Sequence, residues 1–155
     1  ERLHVVVFGN DDTPPPFDLP TTYLGRISGD AMLARLYATA DAMVVPSIEE
    51  AFGKTAAEAM ACGTPVVGFA NTGLLDIVDH RVNGYLAETG SAPDLARGIV
   101  WTIQQAAEDP AIGERARAKI LRDFDSRTVA RRYERLYRDW IAEHAGAPVA
   151  AEAAQ

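Results

Sequence analysis

Short apolar runs alternate with helical stretches along the first ninety residues of the chain. The runs typical of β-strands are 3–9, 21–24, 42–45, 65–69 and 85–86. The first run is continuous rather than alternating, which predicts a strand covered on both faces. Helical spacing of apolar residues predicts a helix over 29–40, and an alanine-rich helix follows over 53–62, where Gly63 provides a natural end.

The last third of the chain is predicted to be helical. After a short helix near 74–79, Ser91 and Asp94 form a variant of the capping box, and Asp109-Pro110 opens a further helix. A final helix begins near Asp125 or Ser126. Its long apolar stripe consists of Val129, Tyr133, Leu136, Tyr137, Trp140 and Ile141.

The order of these elements predicts an α/β fold, with a Rossmann-like parallel sheet, helices on both faces, and C-terminal helices. We expect one domain over 1–145, a loop over the proline-rich stretch 10–20, and a disordered, alanine-rich tail over 146–155.

Composition excludes several classes of protein. The 155 residues carry a formal net charge of −7, which disfavours a nucleic-acid binder. No apolar run approaches the ~18 residues of a membrane span, and no signal peptide is recognisable. The single cysteine, Cys62, excludes an internal disulfide and fits a cytoplasmic setting. Because the chain opens at Glu1 on a predicted strand, we expect it to be a fragment of a larger protein.

Candidate chemistry is concentrated between Pro46 and Val67, beyond the carboxyl end of a predicted strand, where ligands of open α/β sheets bind. The helix start at 53–55 offers unpaired N–H groups under a positive dipole end, which suits an anion. Glu50 and Glu58 flank that start, and carboxylates are good acceptors for neighbouring sugar hydroxyls. This order suits a nucleoside-diphosphate sugar. Taken alone, however, the two glutamates are better explained as solvated surface residues, because surface glutamate is the more common case.

The same segment closely resembles the signature of the retaining GT-B glycosyltransferases of the group-1 or family-4 type. The matching residues are Pro46, Ser47, Glu50, Phe52, Gly53, Glu58, Ala59, Met60, Ala61, Gly63, Pro65, Val66 and Val67. Further matches flank the signature: Tyr23-Leu24-Gly25, Leu36 to Asp41, Gly73, Asp76 to Val78, Asn83 to Leu86, Tyr133 and Leu136-Tyr137. The resemblance extends from about residue 3 to residue 140 and is highly specific.

The resemblance implies a role for each site residue. Glu50 would be the catalytic residue, facing the donor sugar at the oxocarbenium-like transition state. The backbone near Phe52, Gly53, Lys54 and Thr55 would contact sugar hydroxyls and the diphosphate, and Glu58 would hold the ribose hydroxyls. The backbone near Gly25, Arg26 and Ile27 would meet the edge of the nucleobase. Lys54 replaces a residue that is often apolar in the family. It would either add positive charge near the phosphates or point into water, and the second is slightly favoured.

The resemblance also implies what the chain lacks. The family's first βα unit of this domain, with its phosphate-binding arginine and lysine, would precede Leu3, as would the N-terminal acceptor-binding domain. The glycine-rich turn after the first strand departs from the family pattern, because it is Gly9-Asn10-Asp11 here. We therefore expect the isolated fragment to be inactive.

For the parent enzyme the implied activity is transfer of a hexose-type sugar from a UDP- or GDP-sugar to a glycan or lipid-linked acceptor. No metal or other cofactor is expected. The parent would be cytoplasmic, with any membrane contact made through its other parts at the inner face of the membrane. The alternatives are a non-catalytic nucleotide-binding or interaction domain and a fragment of a GT-B epimerase.

Overall fold

A computed structural model describes residues 3–9 and 18–144, apart from the side chain of Thr72. The strands are β1 (Val5–Val7), β2 (Thr21–Tyr23), β3 (Met43–Val45), β4 (Val66–Phe69) and β5 (Gly84–Ala87). The helices are α1 (Asp30–Thr39), α2 (Lys54–Ala61), α3 (Thr72–Ile77), α4 (Ala92–Glu108), α5 (Ala111–Asp123) and α6 (Ser126–His144). The predicted tail over 146–155 lies outside the described residues, as does most of the predicted loop over 10–20.

The described strands form two small parallel sheets. In the larger sheet β4 lies between β3 and β5, with Met43 paired to Val66 and Val66 paired to Gly84. In the smaller sheet β1 pairs with β2, with Val5 opposite Thr21. The parallel α/β class predicted from the sequence is confirmed, but the one predicted sheet is divided into two.

Helices cover both faces of the three-stranded sheet. On one face α2 buries Ala56, Ala59 and Met60 completely, since alanine side chains let the helix approach the sheet closely. On the other face α4 packs Leu95 and Ile99 against a cluster formed by Val67, Phe69, Tyr85 and Ala87. Burial of these apolar residues is the main stabilising term of the fold, at roughly 25 cal/mol per Å² of buried apolar surface.

The predicted helix ends are confirmed at α2 and α4. At the end of α2, the Gly63 N–H donates to Met60 O at 2.9 Å and the Thr64 N–H donates to Ala59 O at 3.0 Å, which is a Schellman motif. At the start of α4, the Ser91 hydroxyl oxygen accepts a hydrogen bond from the Asp94 N–H at 3.4 Å. These polar contacts determine where each helix begins and ends.

The prediction that the first strand is covered on both faces is wrong. Val6, in the middle of β1, is 44% exposed. In the described part of the chain β1 pairs with β2 alone, so only part of its surface is covered. A continuous valine run shows that a strand is suited to burial, but not which neighbours are present to cover it.

Helix α6 begins at Ser126 as predicted, but no residue in it is buried. Its apolar stripe is exposed at Tyr133, Leu136, Tyr137, Trp140 and Ile141. The basic residues of the last helices are interleaved with acids, as in the ion pairs Arg138–Glu134 at 2.7 Å and Lys119–Asp123 at 3.6 Å. Within residues 3–9 and 18–144, no helix is long and apolar enough to cross a membrane.

The neighbouring leucines of α3 provide a matched test of this packing. Leu74 is fully buried against the core, whereas Leu75 is 54% exposed. We expect Leu74→Ala to lower the free energy of unfolding by about 2–5 kcal/mol, because it leaves a cavity. Leu75→Ala should cost less than about 1 kcal/mol. Urea denaturation of both variants measures the difference, and equal losses would contradict this packing.

Candidate functional site

The candidate site lies at the carboxyl edge of the three-stranded sheet. After β3 ends at Val45, residues 46–53 form a loop that leads into α2. After β4 ends at Phe69, a short connection leads to α3. Because parallel strands bring their carboxyl ends to one edge, this loop and the start of α3 lie side by side.

Gly53 makes the sharp entry into α2. Its backbone is left-handed, with φ 86° and ψ 51°, and an added Cβ would lie 2.9 Å from the Leu74 side chain. Only glycine fits there without strain. The first intrahelical bond follows, from the Ala57 N–H to Gly53 O at 2.9 Å. The first amides of α2 therefore point out of the helix end, where its dipole favours an anion.

The Glu50 carboxylate lies on this helix entry. Its Oε1 accepts a hydrogen bond from the Gly53 N–H at 3.0 Å, in a partly buried setting. One of the amides predicted to contact the ligand is therefore occupied by Glu50 in this structure. The bond fixes the direction of the carboxylate, so Glu50 and the start of α2 form one unit.

Asn71, in the β4–α3 connection, and Gly73, in the first turn of α3, anchor the loop. The Asn71 side-chain amide donates to Ser47 O at 2.7 Å and to Ile48 O at 2.8 Å. The Gly73 N–H donates to Glu50 O at 2.8 Å. A Cβ on Gly73 would lie 2.6 Å from Phe52 Cα, so the loop can approach only because residue 73 lacks a side chain.

Glu58 lies one turn further along α2 and contacts two other side chains. The Tyr37 hydroxyl, from α1, donates to Glu58 Oε2 at 3.2 Å. Lys54 Nζ lies 3.6 Å from Glu58 Oε1, and its side chain is 86% exposed, against 38% for Glu58. So exposed an ion pair contributes little to stability. The Tyr37 hydroxyl thus holds one oxygen of the Glu58 carboxylate, and the rest of the carboxylate is accessible to water.

Tyr37 is itself held firmly. It is 3% exposed, its ring meets that of Phe8 edge-on at 5.8 Å between centroids, and its carbonyl oxygen accepts a hydrogen bond from the Thr64 hydroxyl at 2.5 Å. Burial, and then the negative charge of Glu58, raise the pKa of the Tyr37 phenol to about 12. Tyr37 is therefore a neutral hydrogen-bond donor over the physiological pH range.

The other predicted residues on α2 and its loop are accessible. Lys54 and Thr55 are exposed in the first turn of the helix. The Phe52 ring is exposed on one side and meets the ring of Phe124, at the end of α5, with 5.5 Å between centroids. This aromatic contact joins residues far apart in the sequence, and nothing in the local pattern predicts it.

The segment predicted to meet a nucleobase belongs to the smaller sheet. Gly25, Arg26 and Ile27 follow β2, and Gly25 O accepts a hydrogen bond from the Gly9 N–H at 2.9 Å. Arg26 and Ile27 line an open groove of about 510 Å³ that continues along α1. These residues lie at the carboxyl end of their strand, as Glu50 does at the end of its own.

The structure thus gathers Glu50, Phe52 and Gly53 in one loop and places Glu58 on the helix behind it. Sequence reasoning missed the supporting residues Tyr37 and Asn71. Tyr37 lies on the apolar stripe of α1 and belongs to the core, and a tyrosine hydroxyl gives no sign of its hydrogen-bond partner in the sequence. Among the described residues, no group of three or more His, Cys, Asp or Glu is placed to hold a metal ion.

Comparison with known proteins agrees with this architecture. The family model described as glycosyl transferases group 1 matches residues 20–119. Over 111 residues the chain is 34% identical to the N-acetyl-alpha-D-glucosaminyl L-malate synthase of Bacillus anthracis, and the match covers 72% of this chain and 29% of that protein.

Solved structures show the same fold. The Anabaena protein Alr3699/HepE, crystallised with UDP-glucose, superposes with a TM-score of 0.67 at 28% identity, covering 79% of this chain and 33% of that one. Sucrose-phosphate synthase of Thermosynechococcus elongatus superposes with a TM-score of 0.65 at 35% identity, covering 79% and 31%. The fold is that of GT-B glycosyltransferases. The chain belongs to the group 1 glycosyl transferases, and it spans about a third of the length of these relatives.

Asn71 provides a test of how the loop is held. We expect Asn71→Ala to lower the free energy of unfolding by about 1–3 kcal/mol, because two carbonyl groups lose their donor. Amide hydrogen exchange at Gly53 and Gly73 should become faster as the loop opens. Thr89→Val is the control, since the Thr89 hydroxyl donates to Ala70 O at the same edge without contacting the loop. Unchanged exchange in Asn71→Ala would contradict the anchoring role.

Proposed function

We propose that this chain binds the nucleoside-diphosphate-sugar donor of a retaining glycosyltransferase, in the site formed by the 46–53 loop and the start of α2. The observation that carries the proposal is the arrangement of Glu50, the α2 amides and Glu58 along one short path. Hydroxyl acceptor, anion-binding helix end and hydroxyl acceptor follow one another in the order that such a donor requires.

The diphosphate is assigned to the start of α2. The helix dipole is equivalent to about half a positive charge there, and the outward-facing amides supply hydrogen bonds. Lys54 and Thr55 are exposed in this turn. When the bond to the sugar breaks, negative charge develops on the departing diphosphate. Donors already in place stabilise that charge without reorganising, which is a large part of catalysis.

Glu58 is assigned to the ribose hydroxyls. Its carboxylate has about four acceptor positions, of which the Tyr37 hydroxyl uses one. The side chain is 38% exposed, so a ligand has access to the remaining positions. The edge of the base would then lie toward Gly25, Arg26 and Ile27, whose segment also follows the carboxyl end of a strand.

Glu50 is assigned to the donor sugar. Its carboxylate is directed by the Gly53 N–H and its backbone by the Gly73 N–H, so both ends of the residue are held. A carboxylate held in this way can accept sugar hydroxyls and stabilise the positive charge of an oxocarbenium-like transition state. The dipole and amides of α2 would supply part of the stabilisation of the diphosphate, and the arginine and lysine of the family's preceding βα unit would supply the rest, so the proposed mechanism requires no metal ion.

We further propose that the parent enzyme transfers a hexose-type sugar from a UDP- or GDP-sugar to a glycan or lipid-linked acceptor held by a second domain. The exposed stripe on α6 supports such a partner. Its five large apolar side chains form a face that a monomeric protein rarely leaves bare.

Calorimetric titration with UDP, GDP and ADP tests the binding site. We expect one nucleotide to bind best, and Glu58→Ala to weaken its binding by about 10- to 100-fold, because hydrogen bonds to a charged acceptor are lost. Glu49→Ala is the matched control. It removes a carboxylate from the same loop region, but Glu49 is exposed and makes none of the contacts described above.

Three results would contradict the proposal. The first is that none of the three nucleotides binds to the folded protein. The second is that Glu58→Ala binds as tightly as the wild type. The third is that Glu49→Ala weakens binding as much as Glu58→Ala does, which would indicate a general effect of charge rather than a site.

A further inference from the structure

We infer that Tyr37 is a positioning residue for the donor site: its hydroxyl holds the Glu58 carboxylate in the orientation that recognises the ribose hydroxyls. The inference rests on the proposed function, since Glu58 must first be the ribose acceptor. It adds a residue from α1 to the residues of α2, of its loop and of the segment after β2 that form the proposed site.

A glutamate on a helix surface does not hold one orientation by itself. It has three rotatable side-chain bonds, and ordering them on ligand binding costs free energy. The salt bridge to Lys54 does not provide that order. Lys54 Nζ lies 3.6 Å from Glu58 Oε1 on a lysine that is 86% exposed, so water competes with the contact.

The Tyr37 hydroxyl does fix the orientation of the Glu58 carboxylate. It reaches Glu58 Oε2 at 3.2 Å from a side chain that is 3% exposed. The ring is fixed against Phe8, and the Tyr37 backbone is tied to Thr64. Because the rigid Tyr37 hydroxyl approaches from the protein interior, the solvent-facing acceptor positions of Glu58 remain available to the ligand.

The neutral state of the phenol is consistent with this role. Burial, and then the negative charge of Glu58, raise the pKa of Tyr37 to about 12. The phenol therefore keeps its proton and remains a donor at any pH at which the protein would work. A charged phenolate next to Glu58 would repel the carboxylate instead.

The test compares ribonucleotides with their 2′-deoxy counterparts. The probes are UDP, GDP and ADP, each paired with its 2′-deoxy form. The comparison uses the pair whose ribonucleotide binds most tightly to the wild-type protein. The measured quantity is the ratio of the two dissociation constants. We expect the wild-type protein to prefer the ribonucleotide by about tenfold or more, because one hydroxyl contact with a charged acceptor is at stake.

We expect Tyr37→Phe to reduce that ratio by about threefold to tenfold, since it removes the hydroxyl and keeps the ring. Any loss of stability affects both ligands equally, because both bind the same folded fraction, so the ratio reports the site alone. Tyr85→Phe is the matched control. Tyr85 is also buried, and its hydroxyl donates to Asp94 Oδ1 at 2.9 Å, but that pair lies on the opposite face of the sheet.

The outcomes separate the inference from the proposed function. The positioning role is supported if Glu58→Ala brings the ratio of the dissociation constants close to one, Tyr37→Phe lowers it and Tyr85→Phe leaves it at the wild-type value. If Glu58→Ala brings the ratio close to one but Tyr37→Phe keeps the wild-type ratio, the inference is overturned and the proposed function stands. If Glu58→Ala leaves the ratio unchanged, or no ribonucleotide binds, the proposed function fails and the inference fails with it.

Discussion

The candidate site depends on how closely the 46–53 loop lies against the start of α3. Gly73 has no side chain, so the backbone of Phe52 can lie against it and its N–H can donate to Glu50 O at 2.8 Å. Asn71 holds the first part of the same loop by two carbonyl groups. If this contact were lost, Glu50 would lose its backbone anchor, and the loop that leads to Gly53 would be held less firmly.

The same contact links the site to the core. Leu74 follows Gly73 in α3 and is fully buried. An added Cβ on Gly53 or on Gly68 would strike its side chain, at 2.9 Å and 2.4 Å. The entry to α2, strand β4 and helix α3 are therefore packed around one leucine. This packing explains how a loop with few apolar contacts of its own can hold a carboxylate in a defined direction.

Local patterns in the sequence predicted the elements well. The helix predicted over 29–40 is observed over Asp30–Thr39, and the one predicted over 53–62 is observed over Lys54–Ala61. Those limits depend on glycines and caps that act within a few residues. The contacts that shape the site were not predictable in this way. Tyr37 and Glu58 are 21 residues apart, and Asn71 and Ser47 are 24 apart, so only the folded chain shows that they meet.

The most direct test of the central claim is to map where a nucleotide contacts the protein. Heteronuclear NMR with the best-binding nucleoside diphosphate would follow each backbone amide during a titration. We predict that shift changes are concentrated over 53–58 and 25–27. Changes confined to the groove that Arg81 and Trp101 line beside α4 would contradict it, because that groove lies away from the carboxyl ends of the strands.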